Sequence, residues 1–369
     1  MLFLNRFVSA NRLISVFFFL FSSSLFCNQK NSSYPKNQNQ KTEVVVKTTF
    51  SSTHSHYKIK QLDEKTYVWL EENCDPFSEI ILSWNSEKPE IGQLIFFVSC
   101  KINNEWTGWK KQASWGSKNQ ATYSKKESPR LKTMNSCAMI PKPFFATGFR
   151  IKVVAENGAK IKSLHALFCS LVREQLFKPE RGPLNLSTIK IKKIENYAQS
   201  QMELNHRRNK DMCYPTSMTI LMRYLNSEHL GKTPSPHEAA IVFAENARDK
   251  VLDIYGCWPL NAAQVYEDLD GKFHFHAARL NGFKDIHRLL KKKIPVAVSI
   301  RGPINGGAGP YKNGHLILVV GWNKKHQRVL CIDPGFKTKD KTRVSYDVDE
   351  FLKAWERSRR LSYIAIPRS

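Results

Sequence analysis

Residues 211–217 read Asp-Met-Cys-Tyr-Pro-Thr-Ser and run straight into Met218, Leu221, Met222 and Leu225, spaced as one apolar helical face. Pro215 suits a first helical turn, whose N–H groups have no intrahelical partner. Cys213 therefore falls at or just before a helix N-terminus, where the dipole and free N–H groups favour a thiolate. That is the chemistry of a nucleophile, although a cysteine at such a place is often only a small buried hydrophobe. A nucleophile needs a base and a group to orient the base. His315 opens an apolar strand read over residues 315–321, and Asp333 closes another read over 328–333. A hairpin folded symmetrically about Lys324 sets His315 opposite Asp333, with Cβ atoms about 5 Å apart. The imidazole then donates one N–H to the carboxylate and turns its other nitrogen outward, unless a bulge breaks the register. Gln201 is the candidate oxyanion donor and Gln199 the second choice, because a side-chain amide N–H can point at a developing oxyanion. Thr216 and Ser217 read as structural, satisfying helix N–H groups.

The elements that must hold these residues form an α+β pattern. Ser235-Pro236-His237-Glu238 is a capping box opening a helix read to end near Gly256, and 259–269 reads as another helix. Residues 273–280 alternate as a strand, 284–292 read as a short helix and 295–300 as an apolar strand. A Gly/Pro-rich loop spans 301–314, and a turn is read over 322–327. Cys257 and Cys331 read as buried. His274 and His276 alternate on a strand, but no third ligand lies at a useful spacing, so neither metal nor organic cofactor is expected.

The first folded half reads differently. Strands over 44–48, 80–84, 93–99, 149–154 and 164–169 are rich in β-branched and aromatic residues, with turns at Asn103-Asn104, Glu156-Asn157-Gly158 and Ser128-Pro129. This predicts an all-β sandwich. Trp106, Trp109 and Trp115 belong either to its core or to a carbohydrate- or peptide-binding surface. The domain reading is a signal peptide over 1–27, a disordered tether over 28–43, the sandwich over 44–172, a turn-rich linker over 173–196 and the α+β domain over 197–369.

The quoted motifs carry a family resemblance. Ser200-Gln201-Met202, Cys213-Tyr214-Pro215-Thr216-Ser217, the run from Gly314-His315 to Gly321-Trp322, and Asp333-Pro334 are similar to the Peptidase_C39-like family. These are papain-clan cysteine peptidase relatives of bacteriocin-leader-processing enzymes. Gly256-Cys257-Trp258-Pro259, residues 294–299, Val344-Ser345-Tyr346, Phe351 and Ala354-Trp355 extend the likeness over about 195–369. The resemblance implies a papain-like fold, Cys213 as nucleophile, His315 as general base and acid, Asp333 as its orienting residue and Gln201 as oxyanion donor. Tyr214 stands where many relatives carry Gly or Ser, which bears on the cleft and so on the substrate.

Composition sets the setting. With 369 residues, 41% hydrophobic and 11% aromatic, the chain can fill two cores. Arg6 and Arg12 precede a Phe-rich apolar run ending at Phe26, too short to span a bilayer comfortably, which predicts a cleaved export signal and no lasting transmembrane anchor. Cys27 invites a lipid anchor, but the bulky Phe26 before it fits that poorly. Four cysteines in the first folded half (Cys74, Cys100, Cys137, Cys169) allow two disulfides in an exported domain. Lys and Arg outnumber Asp and Glu 57 to 32, for a net charge of +25. Such a chain adheres to anionic envelope surfaces, yet the cations are scattered and no nucleic-acid signature accompanies them. The expectation is an exported cysteine peptidase acting on peptide or protein. Its alternatives are a cell-wall peptide amidase or transpeptidase with the same triad, or a catalytically idle envelope-binding protein.

Overall fold

The computed structural model describes residues 43–47, 51–57, 59–124, 128–134, 137–169, 180–233, 236 and 239–368. The export signal, Cys27, the tether up to residue 42 and the capping-box residues Ser235, His237 and Glu238 lie outside the described residues. Lys41–Ser369 form one compact unit, rich in sheet and with few helices.

Thirteen described strands come first: β1 (Glu43–Lys47), β2 (Ser51–His56), β3 (Lys60–Gln61), β4 (Thr66–Glu71), β5 (Glu79–Asn85), β6 (Leu94–Ile102), β7 (Glu105–Trp106), β8 (Lys110–Trp115), β9 (Ala121–Thr122), β10 (Lys132–Met134), β11 (Cys137–Met139), β12 (Ala146–Ala155) and β13 (Ser163–Cys169). They build two antiparallel sheets, ordered β1-β2-β13-β5-β11-β10 and β3-β4-β12-β6-β8-β9, with β7 paired to β6. Alternation decides the faces: in β12, Phe149, Ile151 and Val153 are buried while Arg150, Lys152 and Val154 stay half-exposed. The inward side chains of both sheets share one apolar cluster, in which Trp84 of β5 stacks on Phe96 of β6 with ring centroids 4.0 Å apart. Asn103 and Asn104 close the β6–β7 hairpin with φ of 52° and 65°, the paired positive values that favour Asn in such a turn. Trp115 is fully buried, whereas Trp106 and Trp109 are half-exposed. Cys100 is a buried free thiol and takes no part in the disulfides that were allowed for.

The second half contains α1 (Cys213–Leu230), α2 (Ala239–Ala247), α3 (Trp258–Asp268), α4 (Phe283–Lys291) and α5 (Val348–Glu356). Its sheet is made by β14 (Ile189–Lys190), β15 (Phe273–Arg279), β16 (Val296–Ile300), β17 (His315–Asn323), β18 (Arg328–Ile332), β19 (Arg343–Asp347) and β20 (Leu361–Pro367), ordered β15-β20-β16-β17-β18-β19 with β14 paired to β17. The stretch read as a linker thus contributes a strand, and Leu186 O accepts from Trp322 Nε1 at 3.0 Å. α2 stops at Ala247, not near Gly256. Asp249 ends it: one carboxylate oxygen accepts from the N–H groups of Val251 and Leu252 at 3.0 and 2.9 Å, the other from Thr122 N at 2.8 Å. A short acidic side chain satisfying local N–H groups competes with helix continuation.

The two halves are joined tightly. Asn85 uses its amide like a strand segment, donating to Phe275 O at 2.8 Å and accepting from Phe275 N at 3.0 Å. Glu79 accepts from Arg279 at 2.7 Å and from Arg359 at 3.0 Å. Cys257, Leu260 and Ala263 at the start of α3 complete the apolar cluster of the first two sheets.

β17 carries the feature that sets the site. Val319 faces Cys331 but Gly321 faces Leu330, so Val320 is the extra residue of a bulge. Val320 O takes the N–H of Ile191 at 2.9 Å. A Cβ at Gly321 would meet Ile189 O at 2.6 Å and Leu330 Cδ1 at 2.9 Å. Gly321→Val is therefore expected to push β14 off the sheet and cost about 1–3 kcal/mol by overpacking, which a thermal melt against wild type reads directly.

Candidate active site

Cys213 is the first residue of α1, and the helix is buried without a break from Tyr214 to Met222. That burial fixes the helix end on which the half-buried Cys213 sits. Ser217 Oγ donates to Leu316 O at 3.0 Å, tying the first turns of α1 to the residue after His315. Thr216 Oγ1 turns back to Met212 O at 2.7 Å. Both hydroxyls are structural, but they bond to carbonyls rather than to the helix N–H groups expected from the sequence.

His315 Nε2 and Asp333 Oδ1 are 2.7 Å apart, and His315 interacts with the Cys213 side chain closely enough to lower its pKa. The contact arises by a different register from the symmetric one. β17 and β18 pair with residue numbers summing to 651 beyond the bulge and 650 before it. Continued past Ile332, the latter pairing runs His315 opposite Gly335, and a Cβ on Gly335 would sit 3.1 Å from His315 Nε2. Asp333 is two residues away on that same face, a diagonal neighbour. Without the extra Val320 the sum would stay odd, and Asp333 would point to the opposite face.

Four donors converge on the Asp333 carboxylate, which is fully buried. Oδ1 accepts from His315 and from Gly335 N at 2.9 Å; Oδ2 accepts from the hydroxyls of Tyr311 and Tyr346, each at 2.6 Å. Burial acts to raise its pKa, but the charge of His315 and these donors win and hold it below the usual carboxylate range. Burial likewise works against the charged form of His315, and the Asp333 carboxylate outweighs it, raising the imidazolium pKa above the ordinary value. For Cys213, burial favours the thiol, but His315 and backbone hydrogen bonds from Leu316 and Tyr214 hold the pKa below that of a free cysteine. All three directions favour a thiolate–imidazolium pair backed by a carboxylate.

Gln201 is placed otherwise than expected. Its Nε2 donates to Asn209 O at 3.0 Å and Lys210 O at 2.9 Å, so both amide hydrogens are taken by the turn that leads into Cys213. Two carbonyls fixed at short range outcompete an oxyanion that exists only during reaction. Gln201 N also donates to Pro334 O at 2.9 Å, stitching this segment to the turn after Asp333. Gln199 is fully buried two residues earlier. Cys257 and Cys331 are buried, as read. His276 is buried and His274 half-buried, both held by burial down to about 4, and among the described residues no cluster suits a metal.

Tyr311 and Tyr346 were missed by sequence reasoning. Tyr311 lies in the loop before His315, and its ring stacks on the imidazole with centroids 4.2 Å apart and planes within 2°. The only signal was a tyrosine in a Gly-rich loop. Tyr311→Phe keeps the stacking and removes one bond to a charged group, worth about 1.5–3 kcal/mol. Asp333 has a depressed folded pKa, so its stabilisation is present above about pH 4 and is lost as pH falls through the folded value. Removing the Tyr311 hydroxyl raises that folded value. Thermal melts across pH 3 to 6 are expected to show Tyr311→Phe losing stability at higher pH than wild type.

No curated protein and no solved structure matches the chain. A family model does match, over residues 191–363, and that range contains every residue of the constellation. The match supports a function of the cysteine-peptidase type. The family is the one whose motifs the sequence resembles: residues 191–363 match the Peptidase_C39 like family.

Proposed function

We propose that this chain is an exported cysteine peptidase that hydrolyses peptide or amide bonds through Cys213, His315 and Asp333, on a papain-like domain preceded by a β-sandwich. The observation that carries the reading is the meeting at His315 of the Cys213 side chain, whose pKa it lowers, and the buried Asp333 carboxylate 2.7 Å from Nε2. In the resting pair the proton sits on His315. The thiolate attacks the carbonyl carbon, and the carbonyl electrons move to oxygen, stabilised by the backbone N–H of Cys213 at the start of α1. His315 gives its proton to the leaving amine as the C–N bond breaks, leaving a thioester. Water then attacks, His315 takes its proton, and the thiolate departs to restore the pair. Asp333 keeps the imidazole oriented and its charge balanced throughout. With both amide hydrogens of Gln201 taken, its role is to shape the turn ahead of Cys213, and the backbone carries the oxyanion. Export rests on the basic and apolar run of the first 27 residues.

The test is acyl-enzyme trapping. A pool of varied peptides mixed with the full chain and quenched in acid should leave an acyl group on the Cys213 peptide by mass mapping, with cleaved products. Cleavage that survives in Cys213→Ala, or a wild-type chain that neither acylates nor cleaves, defeats the proposal.

A further inference from the structure

The outer face of the second sheet has no part in this chemistry, yet its composition is unusual. Arg150 and Lys152 of β12, Lys101 of β6 and Lys110 and Lys111 of β8 gather there with Phe97, Trp106, Trp109 and Tyr123. The cations lie over the rings. The Arg150 guanidinium is 4.9 Å from the Trp106 centroid and 4.5 Å from that of Trp109; Lys152 is 4.9 Å from Trp109 and from Phe97; Lys111 is 4.0 Å from Tyr123. Phe97, Trp109, Lys110, Lys111 and Tyr123 surround a shallow cavity of about 370 Å³. No described carboxylate pairs with these five cations, although many other surface cations on the molecule have one. An uncompensated group of like charges, held at fixed positions by aromatic rings, calls for an anionic partner.

We propose that this face is a docking surface for an acidic polypeptide segment in extended conformation. Arg150 and Lys152 are two residues apart on one strand, so their side chains repeat at about 6.6–6.8 Å. An extended peptide with acidic residues at alternate positions presents its carboxylates at that same repeat. Val68 and Leu70 of β4, directly across from Lys152 and Arg150, give its intervening apolar side chains a surface. Single-stranded nucleic acid fits less well, because base stacking needs bare ring faces and those of Trp106 and Trp109 already carry a cation. An anionic bilayer fits less well too, since insertion needs several protruding apolar side chains, and of Val68, Leu70, Phe97, Trp106 and Trp109 only Leu70 is exposed. This proposal stands apart from the catalytic reading and is measured without turnover.

The experiment uses the full chain carrying Cys213→Ser, so that nothing is cleaved. A fluorescein-labelled peptide alternating Glu with Val is titrated by anisotropy, with a single-stranded oligonucleotide and phosphatidylglycerol vesicles run alongside. Binding of the peptide is expected, weakening with added salt. Removing two of the cations that would meet its carboxylates predicts that Lys111→Ser with Lys152→Ser raises its Kd about tenfold. Lys284→Ser with Lys325→Ser, exposed cations in the other half of the chain, controls for loss of charge alone and should leave the Kd within about twofold. Absence of peptide binding, an equal loss in the control pair, or tighter binding of the oligonucleotide or vesicles overturns the proposal. Circular dichroism melts confirm that both double variants remain folded.

Discussion

His315→Ala lowers kcat/KM on any cleaved peptide by about 10⁶-fold, the scale seen when the base of a cooperating nucleophile–base pair is removed. Two effects combine. The thiol loses the imidazole that holds its pKa down while burial continues to hold it up, so Cys213 becomes a poor nucleophile at neutral pH. The leaving amine also loses its proton donor. The loss should fall on kcat more than on KM, because His315 acts on bonds being made and broken rather than on bound substrate. Steady-state kinetics on a cleaved peptide, with substrate affinity measured separately on Cys213→Ser, separates the two. A variant retaining more than a tenth of wild-type kcat/KM would remove His315 from the mechanism.

Asp333→Asn is expected to damage both stability and activity, which distinguishes it from His315→Ala. The carboxylate accepts four hydrogen bonds, two on each oxygen. An amide offers one oxygen and an NH₂: turned one way the NH₂ faces the donors of His315 and Gly335, and turned the other it can donate to Tyr311 and Tyr346 but leaves their O–H groups without an acceptor. The variant also leaves the His315 imidazolium buried without its counter-charge. Breaking a buried pair in this way costs about 3–5 kcal/mol, visible as a lowered melting temperature. Activity should fall about 10⁴-fold from loss of the oriented tautomer. The pH dependence of the stability loss carries a sign. A raised His315 pKa contributes stability that is full below the unfolded value of about 6.5 and fades as pH rises through the folded value. Asp333, depressed in the folded state, contributes above about pH 4. The gap between wild type and Asp333→Asn should therefore be widest near pH 4–6.5 and narrow on the alkaline side.

Much of this site was legible because its parts announce themselves locally. Pro215 and the apolar spacing of Met218, Leu221, Met222 and Leu225 fix a helix start, and so the place of Cys213. The alternating runs ending at Asp333 and beginning at His315 fix two strands. What the sequence could not give was the register between them. The turn spans Lys324 to Gln327, not a point at Lys324, and the bulge at Val320 exists because Val320 and Gly321 engage Ile191 and β14, more than a hundred residues earlier. Shifts at the turn and at the bulge together return His315 and Asp333 to one face, so the contact was foreseen by an arithmetic that was itself wrong. Tyr311 and Tyr346 escaped for the same reason: each meets Asp333 only through tertiary packing, and neither spacing carries a trace of it. Gln201 was placed by its type and order alone, and the carbonyls of Asn209 and Lys210 that occupy it have no signature in the sequence. The end of α2 was missed because Asp249 takes its partners partly from Thr122, in the other half of the chain.

The central claim is that Cys213 is held as a thiolate by His315. Its most direct test is the rate of iodoacetamide labelling at Cys213 across pH 4 to 9, followed by peptide mass mapping, in wild type and His315→Ala. The account predicts fast labelling that persists well below the free-thiol pKa of about 8.5 and disappears from that range in the variant. Slow labelling that rises only near that pKa, and is the same in both proteins, would contradict it.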